Sequence, residues 1–364
     1  MKNNIAADSY FLDTLKLCNR IVMAPLTRRR CGNMGIPDEL NALHYAQRAS
    51  AGLIIAEATN VSAYKGYSDT PGLFTNEQIE GWKKVTEAVH QREGKIFVQL
   101  WHTGRYAHPD LLPEGYHTVA PSSLIFDGEI NTPSGYQKLP LPKQLSLIEI
   151  KKTVDDFAQA SLNAKLAGFD GIEIHAANGY LIDQFLSDGT NIRTDNYGGS
   201  VENRFRFLQE ILLKCIQIWG ENRVGVRLSP SGIKNGMSDS NPAVHFAEFI
   251  SYLNQFPLAY LHLIEPLLSV DHLTHYPAKV SEYFRRFYKG TLIANGGFQP
   301  QDSNKIISEL KADLLAFGKY FISNPDLPER IFNNLPLTPY DLNTFYGGDK
   351  KGYTDYQFYN NTKQ

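Results

Sequence analysis

The sequence predicts an α/β protein of the (β/α)8 TIM-barrel class, because short strands and longer helices alternate along most of the chain. Eight apolar runs rich in β-branched residues predict strands at 21–25, 53–58, 95–101, 171–175, 224–229, 260–265, 291–296 and 314–318. Helical periodicity predicts amphipathic helices at 76–92, 146–167, 201–219, 243–255 and 300–310. Strands linked in this way pair in parallel, and eight of them close into a barrel.

Two segments interrupt this alternation. Residues 108–143 are rich in Pro, Gly, Ser and aromatics without helical periodicity, and they follow the third strand. They predict an insertion at the C-terminal face, either a lid or hairpin that caps the site or a stabilising surface loop. The aromatic segment 345–356 is expected to pack back on the barrel. We expect residues 1–364 to form a single domain.

The composition favours small-molecule partners and is compatible with a reducing compartment. A formal net charge of -2 gives no reason to expect nucleic acid or an anionic membrane as a partner. The three cysteines form no CxxC pair, so no metal site, iron–sulfur cluster or disulfide framework is expected. The first residues lack the apolar core of a signal peptide, and no apolar run reaches membrane-spanning length. We therefore predict a soluble, cytoplasmic protein, a monomer or homodimer.

Polar side chains follow several predicted strands at the end where barrel enzymes place their chemistry. Thr27, Gln99 and Arg227 follow or end the first, third and fifth strands. Their hydrogen-bonding capacity suits a planar heterocycle, with Arg227 able to stabilise a developing negative charge. Strands seven and eight end in glycines, and in this fold the loops after those strands frequently bind phosphate. Gly296, Gly297, Gly318 and Lys319 therefore predict the phosphate site of a nucleotide-type cofactor.

The segment Gly171-Ile-Glu-Ile-His-Ala-Ala-Asn-Gly-Tyr180 predicts a site that activates a carbonyl group. His175 and Asn178 can donate to one ligand oxygen, and Tyr180 offers a phenolic proton nearby. Taken alone, the same residues are equally compatible with a buried His and Asn bonded to backbone and a packing Tyr.

The ordered motifs resemble the old yellow enzymes, FMN-dependent ene-reductases, in the branch that contains the bacterial pentaerythritol tetranitrate, morphinone and N-ethylmaleimide reductases. The resemblance covers nearly the whole chain and is carried by residues 19–28, 47–59, 98–105, 167–175, 191–204, 316–319 and 345–348. It implies non-covalent FMN, NADPH or NADH as the reductant, and no metal.

Carried over position by position, the resemblance implies a role for each site residue. The FMN ring would contact Pro25, Thr27, Ala58, Gln99 and Arg227, and the FMN phosphate would contact Gly296, Gly297, Gly318 and Lys319. Relatives commonly have Arg at the last position, and Lys lacks its bidentate fork. His175 and Asn178 match the pair that holds the substrate oxygen, although many bacterial relatives have His at the second position. Tyr180 matches the proton donor, and aromatic pocket walls are implied for Tyr67, Trp101 and Tyr346, with core packing as the alternative.

The resulting hypothesis is a ping-pong reductase of the C=C bond in α,β-unsaturated carbonyl or nitro compounds. Hydride would come from flavin N5 and the proton from Tyr180. Reduction of nitro compounds, nitrate esters or other xenobiotics is also compatible with the site. Three alternatives are weaker: a dienoyl-CoA reductase, for which the chain is too short and too poor in cysteine, a non-flavin barrel lyase or isomerase, and a catalytically inactive barrel.

Overall fold

The computed structural model describes residues 4–310 and 312–359 of the chain. Its centre is a closed barrel of eight parallel strands, each paired with the next and the eighth with the first. The barrel strands, in chain order, are Ile21–Met23, Leu53–Asn60, Ile96–Trp101, Gly171–Ala176, Val224–Leu228, Tyr260–Ile264, Leu292–Asn295 and Leu314–Phe317. All eight predicted strands are confirmed, with ends shifted by at most two residues.

Helices connect the barrel strands and cover the outside of the barrel. Within the described residues the helices are α1 Glu39–Ala46, α2 Asn76–His90, α3 Leu147–Leu166, α4 Leu181–Leu186, α5 Val201–Trp219, α6 Pro242–Leu253, α7 Val280–Phe284, α8 Ser303–Leu310, α9 Lys319–Ser323 and α10 Leu327–Phe332. The five predicted helices correspond to α2, α3, α5, α6 and α8, the last preceded by a 3-10 turn at Pro300–Asp302. Further 3-10 turns are Ile5–Ala7, Pro109–Leu111, Lys234–Gly236, Arg285–Phe287 and Leu342–Thr344.

Side-chain oxygens cap the starts of the longest helices. Thr75 accepts from the backbone N–H of Gln78 at the start of α2, and Ser146 accepts from that of Glu149 at the start of α3. In both cases the third helical side chain bonds back to the capping residue, so two unpaired N–H groups are satisfied together. These signals explain why the starts of the long helices could be read from the sequence.

An N-terminal hairpin that the sequence analysis did not predict lies against the barrel interior. Its strands, Tyr10–Leu12 and Leu15–Leu17, pair antiparallel. Three buried hairpin leucines belong to the same apolar cluster as barrel residues such as Val22 and Phe97. The hairpin strands are only three residues long, too short for their alternation to stand out as a pattern.

The insertion after the third strand contains a hairpin. A hairpin was part of one of the two alternatives predicted for this segment. Strands Glu129–Thr132 and Gly135–Lys138 pair antiparallel. A second small pairing, between Val119–Ala120 and Lys143–Gln144, is parallel and closes the base of the insertion. Capping of the site by residues 108–143 stays a prediction, as does the division into a single domain.

The C-terminal segment packs back on the barrel, as predicted. Arg28 donates from Nε to the carbonyl of Phe345 at 2.9 Å and from Nη2 to that of Gly352 at 2.8 Å. The ring of Tyr353 stacks on that of His44, with centroids 3.9 Å apart. Because Arg28 directly follows Thr27, these contacts hold the segment beside the end of the first strand.

Candidate active site

The parallel barrel brings the predicted strand-end residues to one face. Neighbouring strands place His175 beside Arg227, and Arg227 beside His262, as direct backbone partners. Gln99 is likewise paired with Glu173 across the third and fourth strands. Pro25 and Thr27 follow the first strand, and Ala58 lies within the second. The side chains of Gln99, His175 and Arg227 are buried.

The buried carboxylate of Glu173 hydrogen-bonds two neighbouring side chains inside the barrel. Glu173 is fully buried, and its Oε1 accepts from the Nε2 amide of Gln99 at 2.7 Å. Its Oε2 lies 2.8 Å from Nδ1 of His262. Since the Gln99 amide nitrogen points at Glu173, the Gln99 carbonyl oxygen is left to accept a hydrogen bond from a ligand.

Arg227 is oriented by one polar partner and keeps a second donor available. Its Nη2 donates to Oδ1 of Asn295 at 2.7 Å, and Asn295 in turn donates to the carbonyl of Ala316 at 2.9 Å. Its buried Nε has no hydrogen-bond partner within the described part of the chain. Burial lowers the pKa of Arg227, and Glu173 opposes that shift. The cation is therefore fixed in place with a donor left for an anionic or carbonyl oxygen.

Asn178 lies in a tight turn directly after the fourth strand. Its φ is +60°, a conformation that Asn adopts more readily than most residues, and Gly179 follows at +80°. The backbone N–H of Asn178 donates to Oγ of Ser229 at 2.8 Å. Asp183 stabilises the turn, because its Oδ2 accepts a hydrogen bond from the Gly179 N–H at 2.8 Å. Burial raises the pKa of Asp183 to about 7, and these hydrogen bonds oppose the shift.

Aromatic rings surround His175 and Tyr180. The rings of Trp101 and His175 are nearly parallel, with an interplanar angle of 9° and centroids 6.1 Å apart. Tyr180 stands edge-on to both, at 4.8 Å from Trp101 and 5.0 Å from His175. The ring of Tyr67 is also nearly parallel to that of Trp101, with centroids 5.9 Å apart. The structure thus brings four of the predicted site residues into one wall.

The electrostatics keep His175 and Tyr180 neutral. Burial, together with the positive charge of Arg227, holds the pKa of His175 well below its usual range. Burial also raises the pKa of Tyr180, although its hydrogen bond with Tyr67 opposes the shift. At neutral pH His175 is an uncharged imidazole that can donate one N–H, and Tyr180 is a phenol that carries its proton.

Tyr346 lies at the more open edge of the site. Its side chain is 60% exposed, whereas the neighbouring Phe345 is buried. Tyr346 is among the groups whose proximity raises the pKa of Tyr180, so it lies near the same wall. Its exposure distinguishes it from Trp101, which is buried within the wall.

The predicted phosphate residues lie after the seventh and eighth strands. Gly296 and Gly297 have φ values of +112° and +73°, which L side chains rarely adopt. Gly318 precedes α9, whose first residue is the exposed Lys319. The ammonium of Lys319 lies 5.9 Å from the ring centroid of Tyr340. Two glycine turns and one exposed cation are therefore available on the same side of the barrel.

Another group of polar residues in the described chain has the spacing of a metal site. Ligand atoms of Asp188, Asp239 and His245 lie within 4.8 Å of one another. Asp239 is already bonded to His245 at 2.7 Å and to Arg204 at 3.2 Å, and Asp188 accepts from Ser240. These bonds connect helices α5 and α6 with the loops that carry Asp188 and Asp239, and the expectation of a metal-free protein stays a prediction.

The site fits a flavin on its own geometry. Buried atoms of His175 (Nδ1), Arg227 (Nε) and Trp101 (Nε1) have no hydrogen-bond partner in the described residues. Buried polar atoms are normally paired, so these atoms point to a ligand with several polar groups. The oriented amide of Gln99 and the glycine turns after strands seven and eight extend the pattern to a ring system with a phosphate.

Comparisons with known proteins agree. The NADH:flavin oxidoreductase / NADH oxidase family matches residues 11–338 of the chain. The chain belongs to this family, that of the old yellow enzymes. It is therefore an NAD(P)H-dependent flavin oxidoreductase with FMN as its cofactor. Among the described residues, none of the helices has the length and apolar character needed to cross a bilayer.

Two curated relatives match almost end to end. A putative 12-oxophytodienoate reductase 2 of Oryza sativa subsp. japonica is 41% identical and covers 96% of this chain and 93% of its own length. The flavin oxidoreductase hxnT of Emericella nidulans is 42% identical and covers 94% of each chain.

Two solved structures are similar to this old yellow enzyme over nearly their whole length. Morphinone reductase in complex with tetrahydroNAD has a TM-score of 0.92 at 42% identity, covering 100% of this chain and 99% of that one. The old yellow enzyme homologue from Zymomonas mobilis has a TM-score of 0.91 at 40% identity, covering 97% and 99%.

The sequence analysis missed several residues that orient the site. Glu173 and His262 fix Gln99, Asn295 fixes Arg227, and Asp183 fixes the Asn178 turn. A signal for Glu173 was present, because strand alternation puts it on the same face as His175, inside the barrel. A carboxylate in that position must be paired, and the sequence does not say with which residue.

Proposed function

We propose that this enzyme reduces the C=C bond of α,β-unsaturated carbonyl or nitro compounds. The observation that carries the proposal is the arrangement of His175, Asn178 and Tyr180 at the end of the fourth strand. His175 and Tyr180 lie together there in the aromatic wall, and Asn178 lies in the turn between them in the chain. An activated alkene has the matching groups, an electron-withdrawing oxygen at one end and a carbon that needs a proton near it.

Each residue in this arrangement has a separate task. The neutral imidazole of His175 and the amide of Asn178 donate to the carbonyl or nitro oxygen and stabilise the negative charge that develops on it. Tyr180 gives its phenolic proton to the α-carbon. The chemistry that FMN supplies when bound is hydride transfer, received from NADPH or NADH and passed from N5 to the β-carbon.

The remaining residues would bind the cofactor. Gln99, with its amide fixed by Glu173, would accept from the pyrimidine edge of the flavin, and Arg227 would stabilise negative charge at N1 and O2. Thr27 would bond the C4 oxygen region, while Pro25 and Ala58 line the ring. We also propose that residues 108–143 cap the site of a single-domain enzyme.

Purified protein offers a direct test. It should be yellow, lose its visible flavin band on anaerobic addition of NADPH or NADH, and regain it on addition of 2-cyclohexenone, with cyclohexanone as the product. Nitroalkenes and nitrate esters in the same assay define the substrate range. Flavin that is reduced by the nucleotide but not reoxidised by any activated alkene would contradict the proposal.

Replacing Lys319 should weaken FMN binding modestly. Because the side chain is exposed, losing its charge near the phosphate in Lys319→Ala should raise the Kd about two- to fivefold. Lys319→Arg should bind at least as tightly as the wild type, since a guanidinium can pair with phosphate in a bidentate manner. Titration of the apoprotein with FMN, followed by quenching of flavin fluorescence, measures both.

The matched control for this prediction is Lys305→Ala. Lys305 is an exposed lysine on α8 whose neighbour is Glu309. Its removal should leave the Kd for FMN unchanged. Equal Kd values for wild type and Lys319→Ala would show that Lys319 does not contact the phosphate.

A further inference from the structure

Both N–H groups of the turn at Asn178 and Gly179 lead to one carboxylate oxygen. The Gly179 N–H donates directly to Oδ2 of Asp183 at 2.8 Å. The Asn178 N–H donates to Oγ of Ser229 at 2.8 Å, and the Ser229 hydroxyl donates in turn to the same Oδ2 at 3.3 Å. Asp183 and Ser229 are both buried, which shields these bonds from water. Asp183 therefore links the two peptide groups that flank Asn178.

Two further side chains hold the carbonyl groups of the same turn. Asn235 donates from Nδ2 to the Asn178 carbonyl at 2.8 Å, and Gln184 donates from Nε2 to the Gly179 carbonyl at 2.7 Å. Side-chain amides do not titrate near neutral pH, and neither does a serine hydroxyl. Of the four side chains that hold the turn, Asp183 is therefore the one that can change its charge.

We propose that Asp183 is a positioning residue for the substrate oxygen: its ionised carboxylate holds the turn, and with it the Asn178 amide, in place, and its protonation releases them. The proposal rests on the proposed role of Asn178 as a donor to that oxygen. Hydrogen bonds to an ionised group are roughly twice as strong as those between neutral groups, so protonation weakens both bonds to Oδ2 at once. The turn is then held mainly through its carbonyls, and Asn178 binds the oxygen less well.

The direction of the pH effect follows from these hydrogen bonds. Burial raises the pKa of Asp183 to about 7, and the bonds from Gly179 and Ser229 oppose that shift. With the carboxyl still buried in α4, loss of the two bonds therefore raises its pKa further. The formed turn binds the proton less strongly than the released turn does. It is thus favoured as the pH rises through about 7 and released as the pH falls.

Charged groups from two other loops act on Asp183. Asp239, after the fifth strand, raises its pKa, and Arg105, after the third strand, lowers it. Asp239 is itself bonded to Arg204 at 3.2 Å and to His245 at 2.7 Å. Since an imidazole can also take up a proton near neutral pH, a variant of Asp183 is needed to assign a pH effect to the carboxyl.

Cyclohexanone is a suitable probe, because it presents the carbonyl oxygen of the proposed substrate and has no C=C bond to reduce. Its Kd for the oxidised, FMN-loaded enzyme is measured from the change in flavin absorption between about pH 5.5 and about pH 8.5. For the wild type the Kd should rise about three- to tenfold from the highest pH to the lowest. Asp183→Asn should bind as weakly as the wild type does at low pH, with a Kd that is independent of pH.

A second variant and a matched control accompany this measurement. Ser229→Ala cuts the link from the Asn178 N–H to the carboxylate and should reduce the amplitude of the pH profile, even if Asp183→Asn fails to fold. Asp170 also accepts a backbone N–H, that of Ile96 at 2.8 Å, but it precedes the fourth strand at the opposite end of the barrel. Asp170→Asn should therefore reproduce the wild-type profile. The FMN content of each sample shows that the variant is folded.

Asn178→Gly separates failure of this proposal from failure of the proposed function. It removes the amide, and glycine readily adopts the φ of +60° at this position. If Asn178→Gly binds cyclohexanone as tightly as the wild type, Asn178 does not hold the oxygen and the proposed function is wrong on this point. If it binds weakly, the oxygen contact stands. A wild-type Kd that is constant with pH, or a wild-type profile that persists in Asp183→Asn or Ser229→Ala, then overturns the positioning role of Asp183 alone.

Discussion

Tyr180→Phe is expected to slow reoxidation of the reduced enzyme by 2-cyclohexenone by about 10²- to 10⁴-fold. The substitution removes one hydroxyl and keeps the ring that stands edge-on to Trp101 and His175. The α-carbon must then take its proton from another source. Reduction of the flavin by NADPH involves no proton transfer from Tyr180, so its rate should stay within about twofold of the wild type.

Rapid-mixing measurements of the two half-reactions separate these effects. The enone should bind Tyr180→Phe with an apparent Kd near that of the wild type, because His175 and Asn178 remain in place. Ferricyanide reoxidation of the same sample serves as the internal control. Equal enone rates for variant and wild type would remove Tyr180 from the mechanism.

Loss of His175, one of the two proposed donors to the substrate oxygen, should produce the second large effect. His175→Ala is expected to lower kcat/KM for 2-cyclohexenone by about 10²- to 10³-fold, the usual consequence of removing one donor to a developing oxyanion. The loss should also weaken substrate binding, because the same N–H holds the oxygen before the reaction. Steady-state kinetics at saturating NADPH, with FMN content measured on each sample, provide the comparison.

His175→Asn is the matched variant for this prediction. An asparagine at position 175 keeps a donor and should recover part of the activity lost in His175→Ala. The stacked contact with Trp101 is lost in both variants, so any difference between them reports on hydrogen bonding. Equal kcat/KM values for His175→Ala and the wild type would assign oxygen binding to other residues.

Much of this fold could be predicted because its signals are local. Each barrel strand is a short apolar run, and the long helices carry both a periodic face and a capping residue such as Thr75 or Ser146. The C-terminal segment was recognisable from its aromatic content. Its partners were not, because Arg28 binds backbone carbonyls more than 300 residues away, which any sequence would present.

The candidate site, too, could be predicted only in part. Once eight parallel strands are assumed, their C-terminal ends must meet, so Gln99, His175 and Arg227 could be assigned to one face from the sequence. The bonds that orient them could not. Glu173 is 74 residues from Gln99 and 89 residues from His262 along the chain, and only the closed barrel brings the three together.

By itself the sequence determined the barrel, the polar residues at its strand ends and the family that its motifs resemble, and with the family the cofactor. These depend on periodicity and on residue type, which are properties of short segments. Tertiary structure alone decided which atoms are already bonded and which remain available to a ligand. Oriented amides, a neutral buried imidazole and the contact between the Tyr67 and Tyr180 hydroxyls arise from distances and desolvation between segments far apart in the chain, and no local pattern encodes them.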